Sequence, residues 1–96
     1  MAYVSFLWHL HQPQYRLRGE TVCPLPWVRL HGIRSYYDMV RVLEEFPEIR
    51  ITVNLVPCLL EQIRAYEHGG SDRFLEVAAV PAEELEDAQK AFLFDH

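Results

Sequence analysis

Hydrophobic and polar positions alternate at the start of the chain. Ala2, Val4, Phe6, Trp8 and Leu10 share one side of an extended backbone, and Tyr3, Ser5, Leu7, His9 and His11 share the other. The pattern predicts a strand over residues 3–11, apolar on one face and mixed on the other, that carries two histidines to its C-terminal end. No period is visible over residues 12–26, where Pro13, Gly19, Pro24 and Pro26 punctuate a loop. The loop is long for a strand-to-helix connection, and loops of such length are usually functional or disordered. Tyr15, Leu17, Val22, Leu25 and, at its edge, Trp27 favour an ordered one.

Periodicity then changes. Leu30, Ile33, Tyr37, Val40 and Leu43 recur at helical spacing, predicting a helix over residues 28–46 that Pro47 stops. Residues 50–56 are rich in Ile, Thr and Val and predict a second strand. Pro57 stands where a missing N–H is tolerated, at the start of a helix over residues 58–67 with Leu59, Leu60, Ile63 and Tyr66 apolar, and Gly69-Gly70 ends it. Ser71 or Asp72 suits the cap of a short helix over residues 74–78. Pro81 opens a last predicted helix, with Glu83, Glu84 and Glu86 in its first turns and Leu85, Ala88 and Phe92 on its apolar face.

The order strand, helix, strand, helices is a βαβα arrangement, for which the chirality rule predicts a right-handed crossover between parallel strands. Two parallel strands do not make an independent sheet. The expectation is therefore that residues 1–96 form one N-terminal part of a larger α/β domain that continues beyond them. Half of the residues are apolar, which suits a core, although a chain this short buries only about 60–70% of its unfolded surface.

Net charge is −5, from 14 acidic and 9 basic residues, and the basic ones are scattered, which argues against nucleic acid or an anionic membrane as partner. His9 and His11 interrupt the first apolar run, and no basic segment precedes it, so it predicts neither a secretory leader nor a membrane span. Cys23 and Cys58 form no CxxC motif and read as two reduced thiols, which points to the cytoplasm.

His9 and His11, two apart, project from the same strand face beside a loop. Imidazole there suits metal ligation, hydrogen bonding to a polar substrate, or a satisfied strand-to-loop corner. Gln12-Pro13 fixes the backbone just past them. Trp27 and His31 lie at the start of the long helix; an aromatic at a site edge can stack on a sugar ring, but spacing alone favours Trp27 packing the loop onto the helix. Asn54 is polar within the second strand, as a core amide or as a partner for the first strand. The helical acids, among them Asp38, Glu44, Glu45, Glu61, Glu67 and Glu83, read as solvated faces, and Glu20 lies in an unpatterned loop. No GxSxG, HExxH or phosphate loop is present.

Three stretches together are more specific. Trp8-His9-Leu10-His11-Gln12-Pro13 resembles the first conserved region of glycoside hydrolase family 57, with His-Gln-Pro at the end of the first barrel strand. Residues 26–39, from Pro26-Trp27 to Asp38-Met39, resemble the first helix of its amylase and amylopullulanase-like members. Residues 54–63, from Asn54-Leu55-Val56-Pro57 to Gln62-Ile63, resemble its second strand and helix, and Pro81-Ala82-Glu83-Glu84-Leu85 with Phe92-Leu93-Phe94 resembles a later one.

The resemblance implies an incomplete (β/α)7 TIM-like barrel and retaining cleavage or transfer of α-1,4, and in some members α-1,6, glucosidic bonds in starch-like glucans, with no cofactor or essential metal. It implies that the Glu nucleophile and Asp acid/base lie on later strands, so that this chain has no catalytic residue and is inactive alone. His11, His9, Gln12, Trp27 and His31 then become substrate-binding residues for an α-glucan. Two alternatives stay open: a metal-dependent carbohydrate hydrolase or deacetylase-like barrel with His9 and His11 as ligands, and a non-catalytic glucan-binding relic.

Overall fold

A computed structural model describes residues 1–95 of the chain. Its centre is a parallel strand pair, β1 (Leu7–Leu10) and β3 (Thr52–Leu55), with Leu7 opposite Thr52, Trp8 opposite Val53, His9 opposite Asn54 and Leu10 opposite Leu55. Backbone bonds extend the pairing at each end, from Thr52 N–H to Phe6 O (3.0 Å) and from Val56 N–H to Leu10 O (3.2 Å). The strands predicted over residues 3–11, from alternation, and 50–56, from β-branched content, are both shorter than expected. A ladder runs only as far as both partners do, whereas alternation continues past that limit.

One continuous helix over residues 27–44 connects the pair. It begins as α1 (Trp27–Leu30), widens into a π segment (His31–Tyr36) and continues as α2 (Tyr37–Glu44). The long helix was legible from its apolar period; the π segment was not, because a period averaged over several turns hides one widened turn. After β3, α3 (Pro57–Glu67) starts on Pro57 and ends in a Schellman motif. There Gly69, at φ +88°, lets its N–H reach Tyr66 O (3.1 Å) while Gly70 N–H reaches Ala65 O (2.8 Å).

The 12–26 segment is not wholly loop. Its residues Val22–Cys23 form β2, which pairs in parallel with β4 (Ser71–Asp72). Asp72 is the cap of α4 (Arg73–Ala78), accepting the Leu75 N–H at 2.9 Å. The helix predicted from Pro81 is corrected: Ala82–Glu84 make only a 3₁₀ turn, Leu85 is extended, and α5 (Asp87–Asp95) starts later. Gln89 explains the later start, since its side-chain oxygen accepts the Glu86 N–H at 2.9 Å, the returning half of a capping box.

Leu10, Val28 and Leu59 form the core, with Tyr15, Tyr36, Met39 and Tyr66 against it. Burial of Leu10 against helical residues sets the helical layer on the Trp8, Leu10, Val53 and Leu55 side of the sheet. By alternation Leu7, His9, Thr52 and Asn54 face the opposite side, where His9 and Asn54 are exposed. Among the described residues no helix is long and apolar enough to cross a membrane.

Candidate functional site

His9 and His11 are brought together as their spacing predicted. Their rings stack at 5.8 Å between centroids and 22° between planes, just where β1 gives way to loop. Asn54, the cross-strand neighbour of His9, sets its Nδ2 3.1 Å from His9 Nδ1. An amide NH2 only donates, so Nδ1 accepts and the ring proton of neutral His9 stands on Nε2. Asn54 is therefore the strand-one partner, not a core amide. A carboxamide and two imidazoles thus share the open sheet face, with donors and acceptors turned to solvent.

The turn after His11 is held from the helical side. Gln12 has both ends of its side chain engaged: Tyr15 Oη donates to Oε1 at 2.9 Å, and Nε2 donates to Tyr36 Oη at 3.1 Å. Burial, with Cys23 and Tyr36 nearby, raises the Tyr15 pKa, so its hydroxyl stays a donor. Tyr36 Oη in turn donates to His11 O at 3.3 Å, and Cys58 Sγ donates to Gln12 O at 3.3 Å. Gln62, buried in α3, donates to Pro13 O at 2.8 Å and Cys58 O at 3.1 Å and accepts the Tyr15 N–H at 3.0 Å. Tyr36 and Gln62 went unnoticed as site residues. Both lie off the apolar stripes that periodicity picked out: on the long helix the predicted Leu30, Ile33, Tyr37 and Val40 are exposed, and Val28, Tyr36 and Met39 face the core instead.

Trp27 and His31 form a neighbouring cluster. Their rings lie 6.4 Å apart, His31 Nδ1 is 3.2 Å from Ser35 Oγ, and His31 stands 6.0 Å from the Tyr36 ring. Trp27 is 45% exposed, so part of the indole is covered and part is open to solvent. An open hollow runs along this helix edge, lined by Trp27, Leu30, His31, Ile33, Arg34 and Ser35. Tyr36 joins the two clusters, touching His31 with its ring and the 11–12 corner with its hydroxyl.

The acids lie elsewhere. Glu20 caps its own turn, accepting the Leu17 N–H at 3.2 Å. Asp72 is fully buried and engaged by Arg29 Nε (2.6 Å) and Nη2 (3.2 Å), Tyr66 Oη (3.1 Å) and the Leu75 N–H. Burial alone raises its pKa, but the bonds from Arg29 and Leu75, with the guanidinium charge and Tyr66, outweigh it and hold the carboxyl below its usual value. The bond to Asp72 raises Arg29 in return, and burial beside the carboxylate pushes the Tyr66 hydroxyl far up. This network joins α1, α3 and β4 and offers no carboxylate to a ligand. Among the described residues no group of three or more His, Cys, Asp or Glu comes together in a way that could hold a metal ion.

The arrangement is suited to a neutral, hydroxyl-rich ligand: imidazole nitrogens and an amide for hydroxyl groups, and an exposed indole for a ring face. The family model described as Glycosyl hydrolase family 57 matches residues 5–93 of the chain. No curated protein and no solved structure gives a significant match.

Proposed function

The chain belongs to glycosyl hydrolase family 57, and from that premise we propose that it supplies the first strands and part of the sugar site of an enzyme acting on α-1,4 (in some linkages α-1,6) glucosidic bonds of starch-like glucans. One observation carries this reading. His9 and His11 stack on the sheet face away from the helices, at the C-terminal end of a parallel strand pair. In (β/α) barrels that end holds the substrate, and the face away from the helices is the barrel interior.

In this reading His11 and His9 bind hydroxyls of the sugar at the cleavage point. Gln12 completes the corner, its side chain held by two tyrosines and its remaining hydrogen-bonding capacity open. Trp27 and His31 extend the site along the helix edge, the indole against a neighbouring glucose ring. Hydrogen bonds from fixed imidazoles to hydroxyls strengthen as the ring flattens toward an oxocarbenium-like transition state, so they favour that state over the bound substrate.

Retaining cleavage needs a pair of carboxylates about 5–5.5 Å apart across the scissile bond. Glu20 accepts the Leu17 N–H and Asp72 is held by Arg29; the family resemblance implies a Glu nucleophile and an Asp acid/base on later barrel strands, and in this reading residues 1–96 supply one part of the catalytic domain. The helix around Trp27 and His31 favours an amylase or amylopullulanase-like specificity. Two free thiols, Cys23 and Cys58, favour the cytoplasm.

Affinity electrophoresis of the pure chain through gels containing starch, pullulan or hydroxyethyl cellulose tests the reading. Retardation is expected in starch and is lost in His11→Ala, while no reducing sugar is released from any of the three. Equal mobility in all gels, or starch hydrolysis by the chain alone, contradicts it.

A further inference from the structure

The strand ladder ends at Leu10, whose carbonyl accepts the Val56 N–H at 3.2 Å. The next carbonyl oxygens, of His11, Gln12 and Pro13, have no strand to bond. Each is caught instead by a side chain of the helical layer: Tyr36 Oη at 3.3 Å, Cys58 Sγ at 3.3 Å and Gln62 Nε2 at 2.8 Å, in chain order on both sides. We infer that Tyr36, Cys58 and Gln62 are positioning residues for the histidine corner: by fixing these consecutive carbonyls they set where the His11 ring stands against His9, which the strand ladder and Asn54 hold. The inference rests on the sugar-binding reading of those rings.

Three features distinguish this clamp from ordinary loop packing. The donors come from two separate elements, the π segment and α3, so the corner is held between them. Tyr36 acts twice, donating to the His11 backbone while accepting from the Gln12 side chain, which ties the histidine backbone to the residue that follows it. Tyr36 also closes the π segment, whose wider turn changes where its hydroxyl points relative to an uninterrupted α-helix. All three donors reach the corner from the helical layer, on the other side of the sheet from His9 and Asn54, so in this inference they act on a ligand through the corner.

The test compares imidazole ¹⁵N signals of the histidines, maltohexaose affinity and melting temperature in the 96-residue chain and its variants. Tyr36→Phe keeps the ring and loses the hydroxyl. Cys58→Ala removes the thiol donor, and Cys58→Ser restores a donor at the same place. Tyr37→Phe, whose exposed hydroxyl accepts from Arg41 at 3.4 Å away from the corner, is the control. The expected result is that Tyr36→Phe and Cys58→Ala shift or broaden the His11 and His9 signals and weaken maltohexaose about fivefold, the weight of one hydrogen bond, with α4 and α5 amides unmoved. Cys58→Ser recovers both readouts and Tyr37→Phe changes neither.

Unchanged histidine signals in both Tyr36→Phe and Cys58→Ala overturn the inference, as does Cys58→Ser behaving like Cys58→Ala. If Tyr36→Phe does not fold, the Cys58 pair decides. If the wild-type chain binds no maltohexaose, the sugar-site reading fails, and the histidine signals alone still decide whether the clamp positions the rings.

Discussion

At the scale of single residues, His9 gives the most direct account of its own state. Asn54 donates to its Nδ1, so the neutral ring carries its proton on Nε2 and presents that donor to the open face. Long-range ¹H–¹⁵N spectra should find His9 in this tautomer, and Asn54→Ala should mix the tautomers and weaken maltohexaose about fivefold. A mixed tautomer in the wild type would remove Asn54 from the site. The histidine pair was legible because a period of two fixes which side chains share a face. What holds the pair was not: Gln12 meets Tyr36 and Gln62 meets Pro13 across the fold, and nothing in a one-dimensional pattern specifies such partners.

At the scale of elements, two junctions carry testable weight. The first is Asp72, where Arg29 of α1, Tyr66 of α3 and the first turn of α4 converge. Its carboxyl is held below its ordinary value, so the stability it contributes is present above the unfolded-state pKa of about 4 and is lost as pH falls through the lower folded value. Thermal melts should be nearly flat from about pH 7 to 5 and fall steeply below about pH 4. Asp72→Asn should melt lower at neutral pH and lose less in that acid window. Removing Arg29 instead leaves a buried carboxylate unpaired and should cost about 3 kcal/mol or more in urea unfolding. The sequence offered Asp72 only as a helix cap, a local role; its ion pair joins residues far apart in the chain and had no local signature.

The second junction is the α3 terminus. A Cβ on Gly70 would stand 2.6 Å from the Ala65 carbonyl oxygen, and that oxygen already accepts the Gly70 N–H. Gly70→Ala should therefore destabilise the chain by about 1–3 kcal/mol, read from urea midpoints. Double glycine after an apolar helix made this stop legible. Pro81 misled in the other direction: it suits a first helical turn, but Leu85 turns extended and Gln89 fixes the start of α5 later.

At the scale of the whole molecule, the chain is open. Its radius of gyration is 17.6 Å, against about 13 Å for a compact chain of this size, and it extends 64 × 29 × 24 Å. Leu7 is 62% exposed and Leu55 48%, on a sheet of only two strands. Such a sheet is marginal by itself. Amide exchange should be slowest in α3 around Leu59 and Gln62, which are buried, and faster in β1 and β3. Equal protection throughout would show a more cooperative unit than this. The mixed α/β class with parallel strands was legible in the strand–helix–strand order, whereas the small β2–β4 pair was not, since two-residue strands carry no period.

The central claim is that His9 and His11 begin an α-glucan site. Titration of the ¹⁵N-labelled chain with maltohexaose, read at the histidine rings and the Trp27 indole, tests it most directly. Saturable shifts are expected at His9, His11 and Trp27, absent with cellohexaose and abolished in His11→Ala. Shifts confined to other surfaces, or none up to the solubility limit of the sugar, would contradict it.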